Sequence, residues 1–454
     1  MNTHRQAVSK VATSVKHTRP RPANPADSVD ISSLSNIIKI DTTSRRAFVE
    51  PNVSMDHLVA STLRHGLIPP VVMEFPGITV GGAFAGTAGE SSSFKYGLFD
   101  KSVKSVGMVL ADGEVIQASE EFNPDLFYGA AGTLGTLGLV TMVELELIEA
   151  KKFVKTTYHS RTSIKSTIEL IQKESANVSN DYVDGILFSK DHGVVITGEM
   201  TEENPGPTQG FSRSTDPWFY LHVQEKTQSS SSSVTEFIPL PEYFFRYDRG
   251  GFWVGRSAFD YFGAPFNKLT RKFLDDFIHT RMLYEALHAS TESSRYIVQD
   301  LALPYSTVEA FIDYTTKSFD IWPLWLCPIQ QTQSPTFNPR IAPAQQQQQV
   351  DGKTTSQFIN IGLWGSGPQD RAACMVLNRD LTDRTILTDA DGDAKFAFIL
   401  STRFDDYLSL WRGVDWQKCE EYVGDSVVMF RPASSGYLDI TYGYLNAVGC
   451  IVER

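Results

Sequence analysis

Long apolar runs are missing from this sequence. No uncharged stretch of about 18 residues occurs, the length a membrane-spanning helix needs. The opening segment, MNTHRQAVSKVATSVKHTRPRPANPADSV, has no apolar core of signal-peptide length. Neither a leader nor a transmembrane helix is therefore expected, which leaves a cytoplasmic protein or one bound peripherally to a membrane. Cysteine is sparse as well: Cys327, Cys374, Cys419 and Cys450 stand far apart, with no CxxC pair and no histidine at ligand spacing beside them. They read as reduced, mostly buried thiols, and no metal site is expected. A surplus of positive charge is also lacking. With 41 Lys and Arg against 53 Asp and Glu, the net charge is -12, which argues against broad binding to nucleic-acid backbone.

What is present is ordinary for a folded chain. Of 454 residues, 41% are hydrophobic and 21% charged, enough to bury at least one large core and far from a disordered composition. Two short β-rich runs, Ile37 to Ile40 and Ala47 to Glu50, flank a polar turn and predict a hairpin. Ser54 is placed to cap a helix over Met55 to His65 that Gly66 ends. A strand pair over Val106 to Leu110 and Val115 to Gln117 is joined by Ala-Asp-Gly, and Leu139 to Ile148 alternates as a further strand. After Lys151 the texture changes to mixed helices and strands, with helices predicted at Ser163 to Gln172 and Arg271 to Ala289. Two low-complexity tracts, 229–233 and 345–349, read as loops. The class is α+β.

Glycine-rich segments carry the functional signal. In Pro76 to Phe99, PGITVGGAFAGTAGESSSFKYGLF, glycines at 81, 82, 86 and 89 remove Cβ atoms so that a ligand can lie on the backbone, and Ser91, Ser92 and Ser93 add hydroxyls. A tight structural turn is the competing reading. In Asp125 to Thr141, DLFYGAAGTLGTLGLVT, the spacing is GxxGxxG, which does not fit a dinucleotide fingerprint, and GxxxxGK[ST] is absent. A Rossmann domain and a P-loop are both disfavoured.

Taken in order, GG…G..G…S…YG, then LADG at Leu110 to Gly113, then DLF…G..G..GLVT resemble the FAD-binding domain of the vanillyl-alcohol-oxidase superfamily, of the PCMH type. Within it the chain resembles the Δ24-sterol reductase family. The residues that carry this are VEPNVSM (Val49 to Met55), ITVGG (Ile78 to Gly82), ESSSFKYGLF (Glu90 to Phe99), EFIPLPEYFFRYDRGGFW (Glu236 to Trp253), YIVQDLALP (Tyr296 to Pro304) and IWPLWLCP (Ile321 to Pro328). Similarity runs from about Val29 to Tyr407. The resemblance implies an atypical N-terminal segment at 1–28, an FAD-binding domain at 29–150, an α+β substrate or cap domain at 151–425 and a divergent tail at 426–454. Such enzymes usually carry a glycine-rich loop ahead of the region matching Val29, whose amides grip the FAD pyrophosphate. Lys16 to Val29 holds no glycine, so the expectation is a lost segment, or FAD bound weakly or not at all.

The resemblance implies non-covalent FAD, NADPH as electron donor and a hydrophobic substrate, a sterol or related terpenoid whose side-chain Δ24 double bond is reduced. Pro76, Gly81, Gly82, Gly86, Gly89, Ser91, Ser92, Gly135, Gly138 and Val140 would line the flavin. Reducing an isolated alkene calls for an acid and for aromatic faces beside cationic character. Tyr243, Arg246, Tyr247 and Glu90 are the candidates, with Phe252, Trp253, Trp322 and Trp325 nearby in the aromatic segments and Lys95 flanking the serines. A buried aromatic core is the plainer reading of most of them. His222, His279 and His288 stand isolated and receive no role. Two alternatives stay open: a flavin oxidase or dehydrogenase of specialised metabolism on the same fold, and a truncated non-catalytic paralogue. An endoplasmic-reticulum membrane position carries over only as peripheral contact, and oligomeric state is open.

Overall fold

The computed structural model describes residues 31–377, apart from residues 87, 134, 136, 229–232, 284–295, 332–348, 351–352, 355–356, 369, 371–372 and 375. The N-terminal segment, most of the serine and glutamine tracts, His288, Cys419, Cys450 and the divergent tail lie outside the described residues.

The first half builds a five-stranded sheet from β1 (Ile37–Asp41), β2 (Arg46–Val49), β4 (Val103–Val109), β5 (Val115–Ser119) and β6 (Leu139–Glu146), in the order β1-β2-β6-β4-β5. Every ladder in it is antiparallel. Alternation sets its buried face: Val140, Val143 and Leu145 of β6 point inward with Val103, Val106 and Met108 of β4. Their core also takes Met55 and Leu58 from the Met55–Leu63 helix and Val80, Ala83 and Phe84 from the Val80–Ala85 helix. The two-residue strands β3 (Leu67–Ile68) and β7 (Ile148–Glu149) pair at its margin. Both expected hairpins form, and the Ala-Asp-Gly turn has Gly113 at φ 88°. Ser54 stands at the helix start in extended backbone, but its hydroxyl bonds Asp56 rather than capping.

The second half builds a seven-stranded antiparallel sheet, order β11-β8-β10-β9-β13-β16-β12. Its strands are β8 (Phe153–Arg161), β9 (Tyr182–Ser189), β10 (His192–Thr201), β11 (Val234–Pro239), β12 (Tyr296–Pro304), β13 (Leu324–Gln330) and β16 (Gln357–Ser366), while β14 (Gln349–Val350) and β15 (Lys353–Thr354) form a small separate ladder. β9 is buried from Tyr182 through Phe188, because both of its faces are covered. One face receives the Ile164–Ser175 helix, which Ser163 caps through the Ser166 amide. Ile171 of that helix lies over Gly185, where an added Cβ would stand 2.9 Å from its Cδ1 and 3.0 Å from the Val194 carbonyl oxygen. The opposite face, by the two-residue period, carries Tyr182, Asp184 and Ile186.

A single helix over Arg271 to Ala289 is not what forms. A helix starts earlier, at Lys268, on an Asn267 capping box, and stops at Phe273; a 3-10 turn follows at Asp275–Phe277. The break has long-range causes that no local pattern reveals: Asp275 is drawn to Arg249 at 2.6 Å and His279 to Asp248 at 2.5 Å. Among the described residues, no helix is long and apolar enough to cross a membrane.

Gly185→Ala should lower stability by about 1–3 kcal/mol, since backbone as well as a side chain stands in the way of the methyl. Thermal unfolding of the purified variant checks this, and an unchanged midpoint would contradict the packing described.

Candidate functional site

The two glycine-rich segments meet in space. The Val80–Ala85 helix starts at Thr79, whose hydroxyl accepts from the Gly82 amide at 3.2 Å. The Pro124–Ala130 helix ends in the loop that holds Gly132, and the Gly132 amide donates to the Phe84 carbonyl at 3.0 Å. That bond brings the loop with Gly135 beside the end of the helix that holds Gly82 and stops at Gly86, a ledge of partly exposed backbone; Pro76 and Gly138 are also partly exposed and Val140 is nearly covered. Gly135 sits at φ 76°, and a Cβ there would have nothing closer than 3.9 Å. That is open backbone a flat polar ligand can approach.

Other glycines serve packing of the protein on itself. A Cβ on Gly81 would stand 2.6 Å from Pro51 Cβ, on Gly89 2.6 Å from Leu98 Cδ2, and on Gly138 2.9 Å from the Val109 carbonyl. The competing sequence reading, small residues for tight contacts, therefore describes these positions.

The serines run inward from the ledge. Glu90, Ser91, Ser92 and Ser93 are 1% exposed or less. Ser91 donates to Glu90 Oε2 at 2.7 Å, Ser92 donates to the Pro70 carbonyl at 2.7 Å, and Ser93 accepts from the Glu90 amide at 2.9 Å. Their hydroxyls are taken up by protein groups. The segment also crosses to the second sheet: the Val183 amide of β9 donates to the Ser91 carbonyl at 2.7 Å, Lys95 pairs with Asp181 at 2.8 Å, and Phe94 and Leu98 belong to the second core.

Behind Ser91 lies a closed polar node. Asp184 Oδ2 accepts from Arg246 Nη2 at 3.0 Å, Tyr247 OH at 2.8 Å and Trp325 Nε1 at 3.1 Å. Arg246 also donates to the Tyr243 carbonyl at 2.9 Å and the Ser91 hydroxyl at 3.3 Å. Its guanidinium lies 4.0 Å from the Tyr243 ring centroid and 4.8 Å from that of Tyr247, so aromatic faces supplement one carboxylate in balancing a buried cation. The structure brings together all four residues expected to do chemistry, Tyr243, Arg246, Tyr247 and Glu90, and buries each to 1% exposure or less. The aromatic segments join them: Tyr247 stacks on Phe252 at 3.9 Å, and Phe252 packs against Trp253, Trp325 and Trp364.

Two members of this node escaped sequence reasoning. Asp184 interrupts the apolar run YVDGILF, and a lone carboxylate inside a buried strand is the signal that could have marked it. Glu74, in VVMEF, is 7% exposed and its Oε1 has no hydrogen-bond partner. Burial, then the charge of Glu90, pushes its carboxyl well above the usual range. Burial raises Glu90 too, against the hydrogen bonds from Ser92 and Ser91. The fold also pairs two of the histidines left without a role: His222 meets Glu236 at 2.7 Å in the interior, and His279 meets Asp248. Cys327 and Cys374 are free and buried.

Comparison with known proteins fits this geometry. Residues 14–119 match the profile of a family described as an FAD binding domain, so the similarity reaches ahead of Val29 into the glycine-free segment. The chain is 30% identical to the Delta(24)-sterol reductase of Homo sapiens over 347 residues, 73% of this chain and 63% of that protein. It is 27% identical to that of Arabidopsis thaliana over 357 residues, 74% of this chain and 63% of that protein. With Cytokinin dehydrogenase 4 of Oryza sativa subsp. japonica it shares 28% identity over 154 residues, 34% of this chain and 29% of that one. The first half is thus an FAD-binding domain of the PCMH type in an α+β protein. Over 73–74% of its length the chain is similar to Delta(24)-sterol reductases, and it spans about 63% of the length of the reductases it matches.

Glu74→Gln tests the buried proton. A carboxyl whose folded pKa is raised contributes stability that is full below its unfolded value near 4.5 and is lost as pH rises towards the folded value. The glutamine variant has no such loss. Its melting temperature relative to the parent should therefore climb as pH rises above about 4.5; a constant offset would contradict a raised Glu74 carboxyl.

Proposed function

We propose that the protein is an FAD-dependent oxidoreductase that reduces the Δ24 side-chain double bond of a sterol or related terpenoid with NADPH. The observation that carries this reading is the ledge of Gly82, Gly86 and Gly135, partly exposed backbone within a chain whose match to sterol reductases covers 73% of its length. Gly82, Gly86 and Gly135 would hold the flavin ring non-covalently. When bound, the flavin supplies two-electron chemistry, taking hydride from a reduced nicotinamide and giving it to a substrate carbon.

The chain's own residues do the rest. Gly81 and Gly89 let neighbouring segments close tightly, which fixes the height of the ledge. Ser91 and Ser92 act through their hydrogen bonds to Glu90 and Pro70, holding the turn below the ledge rather than gripping the cofactor with hydroxyls. Arg246 is a positioning residue: it ties that turn to β9 by bonding the Ser91 hydroxyl and Asp184, with Tyr243 and Tyr247 packed against its guanidinium. Phe252 and Trp253 are buried against their neighbours, so in this aromatic group the partly exposed Trp364 is the member whose face would meet a hydrophobic substrate. A flavin dehydrogenase is the second reading, supported by the cytokinin dehydrogenase match, which covers only 34% of the chain.

The visible spectrum, taken before and after adding FAD and desalting, tests the cofactor. Flavin bands should survive desalting, bleach on anaerobic addition of NADPH, and return on adding a sterol with a Δ24 double bond. Bleaching by an organic substrate but not by NADPH would favour the dehydrogenase. A protein that stays colourless would mean that the glycine-free segment at Lys16 to Val29 cannot support FAD.

A further inference from the structure

Exposed apolar side chains are distributed unevenly over the molecule. Among the described residues, six of the twelve large hydrophobics left in solvent fall between residues 261 and 282. Tyr261, Phe262, Leu269, Phe273 and Phe277 are 62%, 74%, 63%, 77% and 63% exposed. Single exposed hydrophobics are normal, but a contiguous set of this kind marks an interaction site.

The set rests on ordered structure. The Asn267 side chain accepts from the Leu269 and Thr270 amides, and the Thr270 hydroxyl accepts from the Asn267 amide. The Lys268–Phe273 helix that this box opens buries none of its residues, and neither does the 3-10 turn after it. Leu269 and Phe273, four positions apart, lie on one side of that helix. The platform is pinned from beneath by Arg249 on Asp275 and by the Arg271 guanidinium, 4.8 Å from the Phe266 ring and 5.7 Å from that of Trp218.

Charge narrows the partner. Residues 264–283 hold Lys268, Arg271, Lys272 and Arg281 against Asp275 and Asp276; Asp275 is paired with Arg249 and Arg281 with Asp56, which leaves three cations against one carboxylate. A local cationic excess amid aromatics, in a chain of net charge -12, suits the headgroup region of an anionic bilayer, where aromatic rings enter the boundary and lysines meet phosphates. The patch is also continuous with the interior. An aromatic series leads from Phe266 to Trp218 at 5.4 Å, Tyr220 at 6.3 Å, Trp253 at 6.1 Å, Trp364 at 5.6 Å and Trp325 at 5.8 Å, and Trp325 bonds Asp184.

We propose that residues 261–277 dock the protein peripherally on an anionic lipid bilayer, with Phe273 and Phe277 in the headgroup boundary and Lys268 and Lys272 on lipid phosphates. The purpose of such docking, delivery of a membrane-dissolved substrate, rests on the reductase reading; the docking itself does not. Flotation of the full chain with phosphatidylcholine vesicles, with and without phosphatidylserine, tests it. The parent should float with the anionic vesicles and lose binding as salt screens the lysines. Phe273→Ser with Phe277→Ser should weaken binding by roughly tenfold or more, and Lys268→Glu with Lys272→Glu should abolish the preference for phosphatidylserine. Both double variants should keep the parent's circular dichroism and melting temperature, because the altered side chains are exposed. A parent that does not float, or a serine variant that floats equally well, overturns the proposal. So does a concentration-dependent dimer that the serine substitutions dissociate, which would give the patch to a second copy. A colourless protein that floats would refute the reductase reading alone, and a yellow one bleached by NADPH that fails to float would refute the docking alone.

Discussion

Arg246 and Asp184 carry opposite charges into a place where water cannot reach them. Taking two ions out of solvent costs several kcal/mol each, and the pair is tolerable only if the geometry is good and the remaining donors find partners. Here the guanidinium lies against two tyrosine rings and one carboxylate oxygen accepts three donors, from Arg246, Tyr247 and Trp325, while Arg246 Nε and Asp184 Oδ1 have no hydrogen-bond partner. These donors come from separate parts of the chain, so the pair fixes how the segment after β11 and the strand β13 lie on β9. Through the Ser91 hydroxyl it also reaches the first half of the molecule. The consequence is that the serine turn of the FAD-binding domain is built into the core of the second sheet, with Phe94 and Leu98 packed there.

That dependence explains a division of labour among small residues. Glycines on the open ledge leave backbone accessible, whereas Gly81, Gly89 and Gly138 are occupied by neighbouring protein. A cofactor-binding surface must be rigid to half an ångström to be useful, and the tight glycines and buried serines provide that support. The acids behind it follow the same logic. Burial first, and the neighbouring Glu90 second, push the Glu74 carboxyl well above the usual range, so the interior disfavours charge there.

Much of the frame was legible from local pattern. The Ala-Asp-Gly turn, the helix predicted at Ser163 to Gln172 and the strand predicted at Leu139 to Ile148 are properties of a few adjacent residues; the turn formed as read, the helix as Ile164–Ser175 and the strand as Leu139–Glu146. The antiparallel ladders agree with the rejection of a Rossmann domain. What failed was decided at a distance. The Arg271 to Ala289 periodicity gave way where Arg249 and Asp248 took hold of Asp275 and His279. His222 looked isolated because its partner, Glu236, comes from β11. Tyr243, Arg246, Tyr247 and Glu90 come together in the fold, but sequence cannot tell an open catalytic wall from a closed node. Burial to 1% or less makes that distinction.

Native-state hydrogen exchange tests most directly whether the node makes one unit of the two halves. If it does, amides of the serine turn, from Ser92 to Gly97, share a single opening free energy with those of β9, and Arg246→Met lowers both together. Exchange of the turn at a markedly lower opening energy than β9, with no response to Arg246→Met, would contradict the account.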